Sequence, residues 1–288
     1  MASLRHASKR VTVKGAPVRA RPGVRPRLAL VEFGRRLARN RGAATGAVFL
    51  LLEIAVALGA PWLAPHDPYR QTDSILAPPF SPGFLLGTDD VGRDMLSRIL
   101  YGTGISLLEG VVVVTIALAI SIPVGLAAAM VRRVDGAIMR TVDAMLAFPG
   151  MLLALAMAAA LGPSLASVLI AVGISSAAPS VVTIRATALS VAENEYVQAA
   201  HAVGAGGLRI AFRHVLPNCM APIIIGSTFR VGTAILVSSS LSFLGLGAQP
   251  PSPEWGLMLS SGRGLIYLAP HVAAFPGLAI LITVLGFN

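Results

Sequence analysis

Between Gly46 and Phe287 the chain returns six times to a run of about twenty mostly apolar residues, the length a helix needs to cross a bilayer. Inside the hydrocarbon no water satisfies a backbone N–H or C=O, so a chain built this way must fold as helices that close their own hydrogen bonds. The runs are Gly46–Leu63, Ser106–Met130, Val142–Leu161, Leu165–Ile184, Met220–Ser240 and Leu268–Phe287; Ser175, Ser176, Pro179 and Ser180 make the fourth the most dilute. Composition agrees: 12% of the 288 residues are charged, against about 25% in soluble domains. The expected fold is all-α, a polytopic membrane protein with six transmembrane helices over residues 44–288.

The basic residues are placed unevenly. Twelve of the 23 Lys and Arg lie in Met1–Arg41, where Glu32 is the only acid. That segment is too long, and the apolar run after it too extended, for a cleaved signal peptide. Residues 1–43, with Gly15, Pro17, Pro22, Gly23 and Pro26 among arginines, are expected to be a disordered cytoplasmic tail held near anionic lipid headgroups. No folded basic domain or aromatic platform accompanies it, which argues against a nucleic-acid arm. With the amino terminus inside, the cytoplasmic segments Met1–Ala43, Val131–Arg140 and Arg185–Val215 hold twelve, three and three basic residues; the outer segments hold four, Arg70, Arg93, Arg98 and Arg263. The positive-inside bias places both termini in the cytoplasm.

Two outer loops carry turn chemistry. The first, 64–105, contains "APPFSPG" and then "LLGTDDVGRDMLSRILYG". There Thr88 or Asp89 is expected to cap a short amphipathic helix with Val91, Met95, Leu96, Ile99 and Leu100 on one face, lying at the outer interface. Asp89, Asp90, Arg93 and Asp94 are its candidate contacts with anything that meets the outer surface. The second, "SFLGLGAQPPSPEWGLMLSSGRG", places Trp255 as an expected interface anchor.

Several chemistries are excluded. The only lysines are Lys9 and Lys14, so no phosphate loop of the G-x-x-x-x-G-K-[ST] type exists and the chain does not hydrolyse ATP by that route. Neither an H-E-x-x-H pair nor a G-x-S-x-G elbow occurs, and Cys219 is the single cysteine, which rules out an internal disulfide or a C-x-x-C site. No run carries Asp or His near its middle for an intramembrane protease. No catalytic residues and no metal site are expected. Three ionisable residues do fall inside runs: Glu53, Glu109 and Arg230. Each costs several kcal/mol if it faces lipid, so each should face a protein partner or a water-filled path. They are the candidate translocation-path residues, Arg230 as an attractor of a substrate carboxylate; snorkelling or internal pairing is the plainer alternative. Pro123, Pro149, Pro179 and Pro222 mark candidate kinks.

The cytoplasmic stretch 190–218 is polar, carries several glycines and is too short in apolar length to cross. Glu195–Val203 suits a short helix whose Ala199, Ala200 and Ala202 allow close approach of another backbone, and Gly204 or Gly206 can end it at positive φ. A second turn, Gly207–Arg213, sets Arg209 and Arg213 four apart, and Pro217 suits the first turn of the next span.

"QAAHAVGAGGLRIAFRHVLP" resembles the EAA loop of bacterial ABC importer permeases, E-A-A, three residues, Gly, nine residues, I-x-L-P. Ala199, Ala200, Gly204, Leu216 and Pro217 match; Gln198 stands where the pattern has Glu, and His214 where it has Ile. "LGTDDVGRDMLSRILYG", "MRTVDAMLAFPGMLLALAMAAALG" and "LSFLGLGAQPPSPEWGLML" resemble signatures of the dipeptide/oligopeptide/nickel branch, in its second permease. The similarity runs from about Arg39 to the end, with Phe84 where that branch shows His; by the branch's pattern a short polar tail is expected to follow. The resemblance implies a type I ABC importer permease in a bacterial inner membrane, without ATPase activity of its own. It implies a homologous second permease, two ATP-binding subunits that carry ATP and Mg, and an extracytoplasmic binding protein that meets the outer loops. It implies that Glu195, Gln198, Ala199, Ala200, Gly204, Arg209, Arg213, Leu216 and Pro217 form the ATPase-coupling site. Peptides lead as substrates, followed by nickel chelates, glutathione and opines. A secondary transporter would carry inverted repeats and acids at mid-membrane, neither evident here, and a plain scaffold would not need polar residues in its spans.

Overall fold

The structure, a computed structural model, describes residues 41–287; the basic stretch 1–40 lies outside the described residues. Nearly all of what is described belongs to one compact unit, Thr45–Asn288. It is helical: α1 Arg41–Leu63, α2 Met95–Met130, α3 Arg132–Leu146, α4 Gly150–Leu161, α5 Leu165–Ala192, α6 Glu195–Ala202, α7 Gly207–Ile210, a π turn Ala211–Val215, α8 Leu216–Phe243, α9 Trp255–Gly262 with a 3-10 turn Arg263–Leu265, and α10 His271–Phe287. The described residues contain no strand, only isolated bridges at Ser81–Phe84 and Thr88–Asp94.

The spans are not six equal rods. Four helices are long and apolar enough to cross a membrane: Ala44–Leu63, α2, α5 and the continuous Gly207–Phe243. The expected third span, Val142–Leu161, is divided: α3 stops at Leu146, and α4 leaves it at an angle of 89°. Pro149 lies at the break, with φ −55° and ψ 126°, and a residue preceding proline is pushed out of the helical region, so the turn cannot propagate through Phe148. Together the bent pair makes a fifth candidate span. The last run yields only the 17-residue α10, which begins at His271, directly after Pro270. Pro123, Pro179 and Pro222 each sit inside an unbroken helix.

The outer amphipathic helix does not exist as a separate element. Residues 95–105 are the first turns of α2, a 36-residue helix that is ~54 Å long at 1.5 Å per residue and so projects beyond the hydrocarbon. Its cap is Asp94, whose Oδ2 accepts the Ser97 amide at 3.0 Å and the Ser97 hydroxyl at 2.5 Å. Thr88 and Asp89 are consumed by the loop before it. The Thr88 hydroxyl accepts the Ala77 amide at 2.8 Å and donates to the Ser74 carbonyl; Asp89 accepts the amides of Val91 and Arg93.

Trp255 is likewise no interface anchor: it is buried, and its indole N–H donates to the Ile99 carbonyl at 3.2 Å. Gly102 makes this possible, because a Cβ there would lie 2.6 Å from the indole and 2.5 Å from the Pro253 carbonyl oxygen. His271 reaches the Thr88 carbonyl at 3.1 Å and is buried. The two outer loops are thereby joined to each other and to the top of α2.

α2 is the axis of the bundle. Gly110, Gly125 and Gly173 let helix backbones come close: side chains of Ile235 and Val231 lie 2.8 Å from where a Gly110 Cβ would be, Ile184 2.9 Å from that of Gly125, and Ile116 2.6 Å from that of Gly173. Small residues at crossings are the usual device where lipid supplies no hydrophobic drive between helices. Val113, Val168, Val172 and Ile235 fill the centre, with Ala154 and Ala158 of α4 against them.

Candidate coupling site

The stretch from Glu195 to Pro217 forms two short helical pieces clasped to one end of the bundle. Val197 of α6, Ile210 of α7 and Val215 of the π turn are fully buried with Leu126, Ile184, Ala188 and Cys219. Helix α6 ends in a Schellman arrangement: the Gly204 N–H donates to the His201 carbonyl at 2.9 Å and the Ala205 N–H to the Ala200 carbonyl at 3.0 Å. Gly204 has φ +84°, the left-handed conformation this cap requires. Gly206, the other candidate stop, has φ −65° and starts α7 instead.

Beyond Gly207 the chain does not start a fresh helix at Pro217, contrary to expectation; α7, the π turn and α8 run on as one. The Leu216 N–H donates to Ala211, five residues back, and the Asn218 side-chain amide holds the His214 carbonyl at 2.6 Å. The wider turn absorbs the missing Pro217 N–H inside a continuous helix.

The anchoring defines what is left outward. Glu195, Gln198, Ala199, Arg209, Arg213 and Pro217 are exposed, and Ala200 and Leu216 half-buried. Gln198 turns back on its own helix start, donating to the Glu193 carbonyl at 3.1 Å. The sequence pattern does not single out Val203, Leu208, Phe212 and Tyr196, large apolar side chains that stay 84%, 79%, 58% and 45% exposed. Leu208 and Phe212 are four apart, a spacing that marks a shared face. The site is thus an apolar knob with arginines beside it, rigidly rooted in the ends of α2, α5 and α8. A second link in this region joins Arg185 of α5 to Asp135 of α3 through paired contacts of 2.6 and 2.5 Å.

The expected path residues sit in three different surroundings. Glu53 accepts a hydrogen bond from Thr283 of α10. Glu109 is 1% exposed and, among the described residues, has no hydrogen-bond partner on either oxygen. Arg230 is half-buried, donates to the Ser180 hydroxyl, and borders a small cavity with Leu118, Thr183, Pro222 and Gly226. Of the outer contacts, only Asp90 is exposed. Asp94 and Asp89 are turned inward, and Arg93 closes on Asp89 at 2.7 Å. Among the described residues no group of three or more His, Cys, Asp or Glu could hold a metal ion.

Long apolar helices packed on α2, with a polar loop anchored at one end of the bundle, define a membrane-spanning subunit. Residues 121–288 match the family described as binding-protein-dependent transport system inner membrane component, and residues 30–79 match the N-terminal transmembrane domain of oligopeptide transport permease C. The chain belongs to this family of ABC importer permeases. It is 47% identical over 266 residues to the di/tripeptide transport system permease protein DppC of Pseudomonas aeruginosa, covering 90% of this chain and 88% of that one. To the dipeptide transport system permease protein DppC of Haemophilus influenzae it is 41% identical over 270 residues, 91% and 92% of the two chains. To the glutathione transport system permease protein GsiD of Escherichia coli it is 44% identical over 279 residues, 95% and 92%.

Proposed function

We propose that this chain forms half of the membrane path of an importer for di- and tripeptides, working beside a homologous second permease in a bacterial inner membrane. Two ATP-binding subunits supply ATP hydrolysis with Mg, and an extracytoplasmic binding protein delivers the peptide to the joined outer loops. The carrying observation is the anchored knob: Val197, Ile210 and Val215 root it in α2, α5 and α8, while Val203, Leu208 and Phe212 stand out for a partner. ATP binding by the partner would move the knob, and the unbroken helix from Gly207 to Phe243 would carry that motion into the membrane, favouring an outward or an inward opening. The arginine distribution supports cytoplasmic termini.

The peptide reading is supported by the relatives in Pseudomonas aeruginosa and Haemophilus influenzae, whose names specify di- and tripeptides. The Escherichia coli relative favours a second reading, glutathione, itself a small γ-linked peptide. Uptake of labelled dialanine and of labelled glutathione by cells expressing the complete transporter separates them. Dipeptide uptake abolished by Gly204→Asp is expected. If no ATP-binding subunit co-purifies and that variant transports normally, the coupling reading fails.

Arg230 is the path residue the geometry favours, being half-buried beside a cavity and donating to a serine hydroxyl. Arg230→Ala should remove uptake while complex assembly and basal ATPase activity persist; full uptake in that variant removes the assignment.

A further inference from the structure

The outer half of the interface between α2 and α8 holds a carboxylate that the described residues leave without a partner. Glu109 is 1% exposed, and neither of its oxygens has a hydrogen-bond donor. One turn away on α2, Ser106 is fully buried with an unpaired hydroxyl, and on α8 Ser238 is the same. These residues share one seam. Gly110, next to Glu109, packs directly on Ile235 and Val231; α2 and α8 run in opposite directions, so the turn before Gly110 on α2 meets the turn after Ile235 on α8, where Ser238 lies three residues on.

Most hydroxyls on these two helices are paired, although Ser121 of α2, away from the seam, is also buried and unpaired. Elsewhere on α2, Thr103 and Thr115 donate to carbonyls of the preceding turn, and on α8 Ser227, Thr228, Thr233 and Ser240 do the same. Ser106 and Ser238 do not, which leaves their oxygens free in the seam. A second carboxylate, Glu254, lies near enough to act on Glu109 electrostatically. Its oxygens are partnered: it caps α9, accepting the amides of Gly256 and Leu257 at 2.7 Å each, with the Ser239 hydroxyl at 3.4 Å. Nothing equivalent among the described residues meets Glu109. The arginines of the surrounding long helices are engaged elsewhere, Arg98 with the outer-loop carbonyls, Arg230 with Ser180 and Arg185 with Asp135.

We propose that Glu109, Ser106 and Ser238 form a binding site for a small monovalent cation, sodium in the first instance, which ties α2 to α8 beneath the outer loops. The donor set is all oxygen, the chemistry of a hard cation. One uncompensated carboxylate balances one positive charge, and three side chains fall short of the six or more oxygens that calcium takes. A buried carboxylate without a counter-charge is costly, and a bound cation removes that cost.

The test uses the complete transporter, with its partner subunits, in nanodiscs. Thermal unfolding is followed as NaCl replaces N-methyl-D-glucamine chloride at constant ionic strength, alongside equilibrium binding of radioactive sodium. Unfolding temperature should rise saturably with sodium, the half-saturating concentration should increase at least ~10-fold in Glu109→Gln, a loss of about 1.4 kcal/mol of binding, and Ser238→Ala should weaken it several-fold. Should Glu109→Gln fail to assemble, Ser106→Ala and Ser238→Ala, which remove only hydroxyls, decide the matter. No sodium-dependent shift in the wild type, an undiminished shift in the variants, or a shift that follows pH and ignores sodium would overturn the proposal.

Discussion

The guanidinium of Arg98, on the first turn of α2, donates to the carbonyl of Ser252, 154 residues further along the chain, at 3.1 Å. The same fork reaches the Pro68 carbonyl at 3.1 Å and the Pro251 carbonyl at 3.3 Å, and Arg98 is 3% exposed. One side chain therefore ties both outer loops to the end of the longest helix.

Arg98→Ala should leave three carbonyls without their donor and cost about 2–4 kcal/mol, by the cost of unmaking charged hydrogen bonds in a buried site. Arg98→Lys should recover little, because an ammonium cannot span the fork. Thermal unfolding of the purified complex measures this. Full stability of the alanine variant would show that the loops are joined by other contacts.

Gly204→Ala should be costly although nothing lies within 4 Å of its would-be Cβ, because φ is +84° and only the backbone conformation excludes a side chain. The expected penalty is about 1–2 kcal/mol, local to the end of α6, and should appear as slower uptake with assembly intact. Gly204→Asn, which tolerates this conformation better, should retain more uptake than alanine. Equal behaviour of the two would contradict a conformational cause.

Leu208→Ser and Phe212→Ser should each leave the fold unchanged, since both side chains are exposed, while weakening retention of the ATP-binding subunits. Val197→Ser should do the reverse first, loosening the knob itself, because Val197 is fully buried. Co-purification and thermal unfolding measured on the same samples separate the two effects.

Gly110→Ala places a methyl 2.8 Å from Ile235 and Val231 and should destabilise the α2–α8 crossing, by about 1–3 kcal/mol as overpacking does. Adding Ile235→Ala should restore part of that loss. Absence of any rescue would mean that the backbones, not the side chain, set the separation.

The Arg185–Asp135 pair should tolerate exchange better than removal. Asp135→Arg alone should disturb the joint between α3 and α5, and the double variant Asp135→Arg with Arg185→Asp should recover function. Uptake assays on the three variants check the order.

The lengths of the apolar runs are enough to dictate the helical membrane class, because a bilayer offers the backbone no other solution for segments of this kind. The shape of segment 195–217 is legible in part for a similar reason: its glycines and alanines carry their consequences locally, and Gly204 does end α6 at positive φ. The run at Val142–Leu161 shows its apolar length and a candidate kink at Pro149, but the 89° turn there, where backbone sterics break the helix, is read only from the structure. Asp89 and Thr88 are eligible caps by type, but Asp94 holds the position, and choosing among three such residues depends on which loop carbonyls and amides compete for the others.

What the sequence determined by itself was whatever follows from neighbours in the chain: helix or turn, span or loop, the uneven placement of basic residues among the segments between apolar runs, and the absence of a phosphate loop. What only the tertiary structure decided was the direction each side chain faces once distant segments meet. Trp255 passes inward to Ile99 and Arg98 to Ser252, while Glu109 is enclosed against α8 without a partner among the described residues. Partners 154 and 156 residues apart leave no local pattern, because burial is a property of the packed bundle and of no single helix.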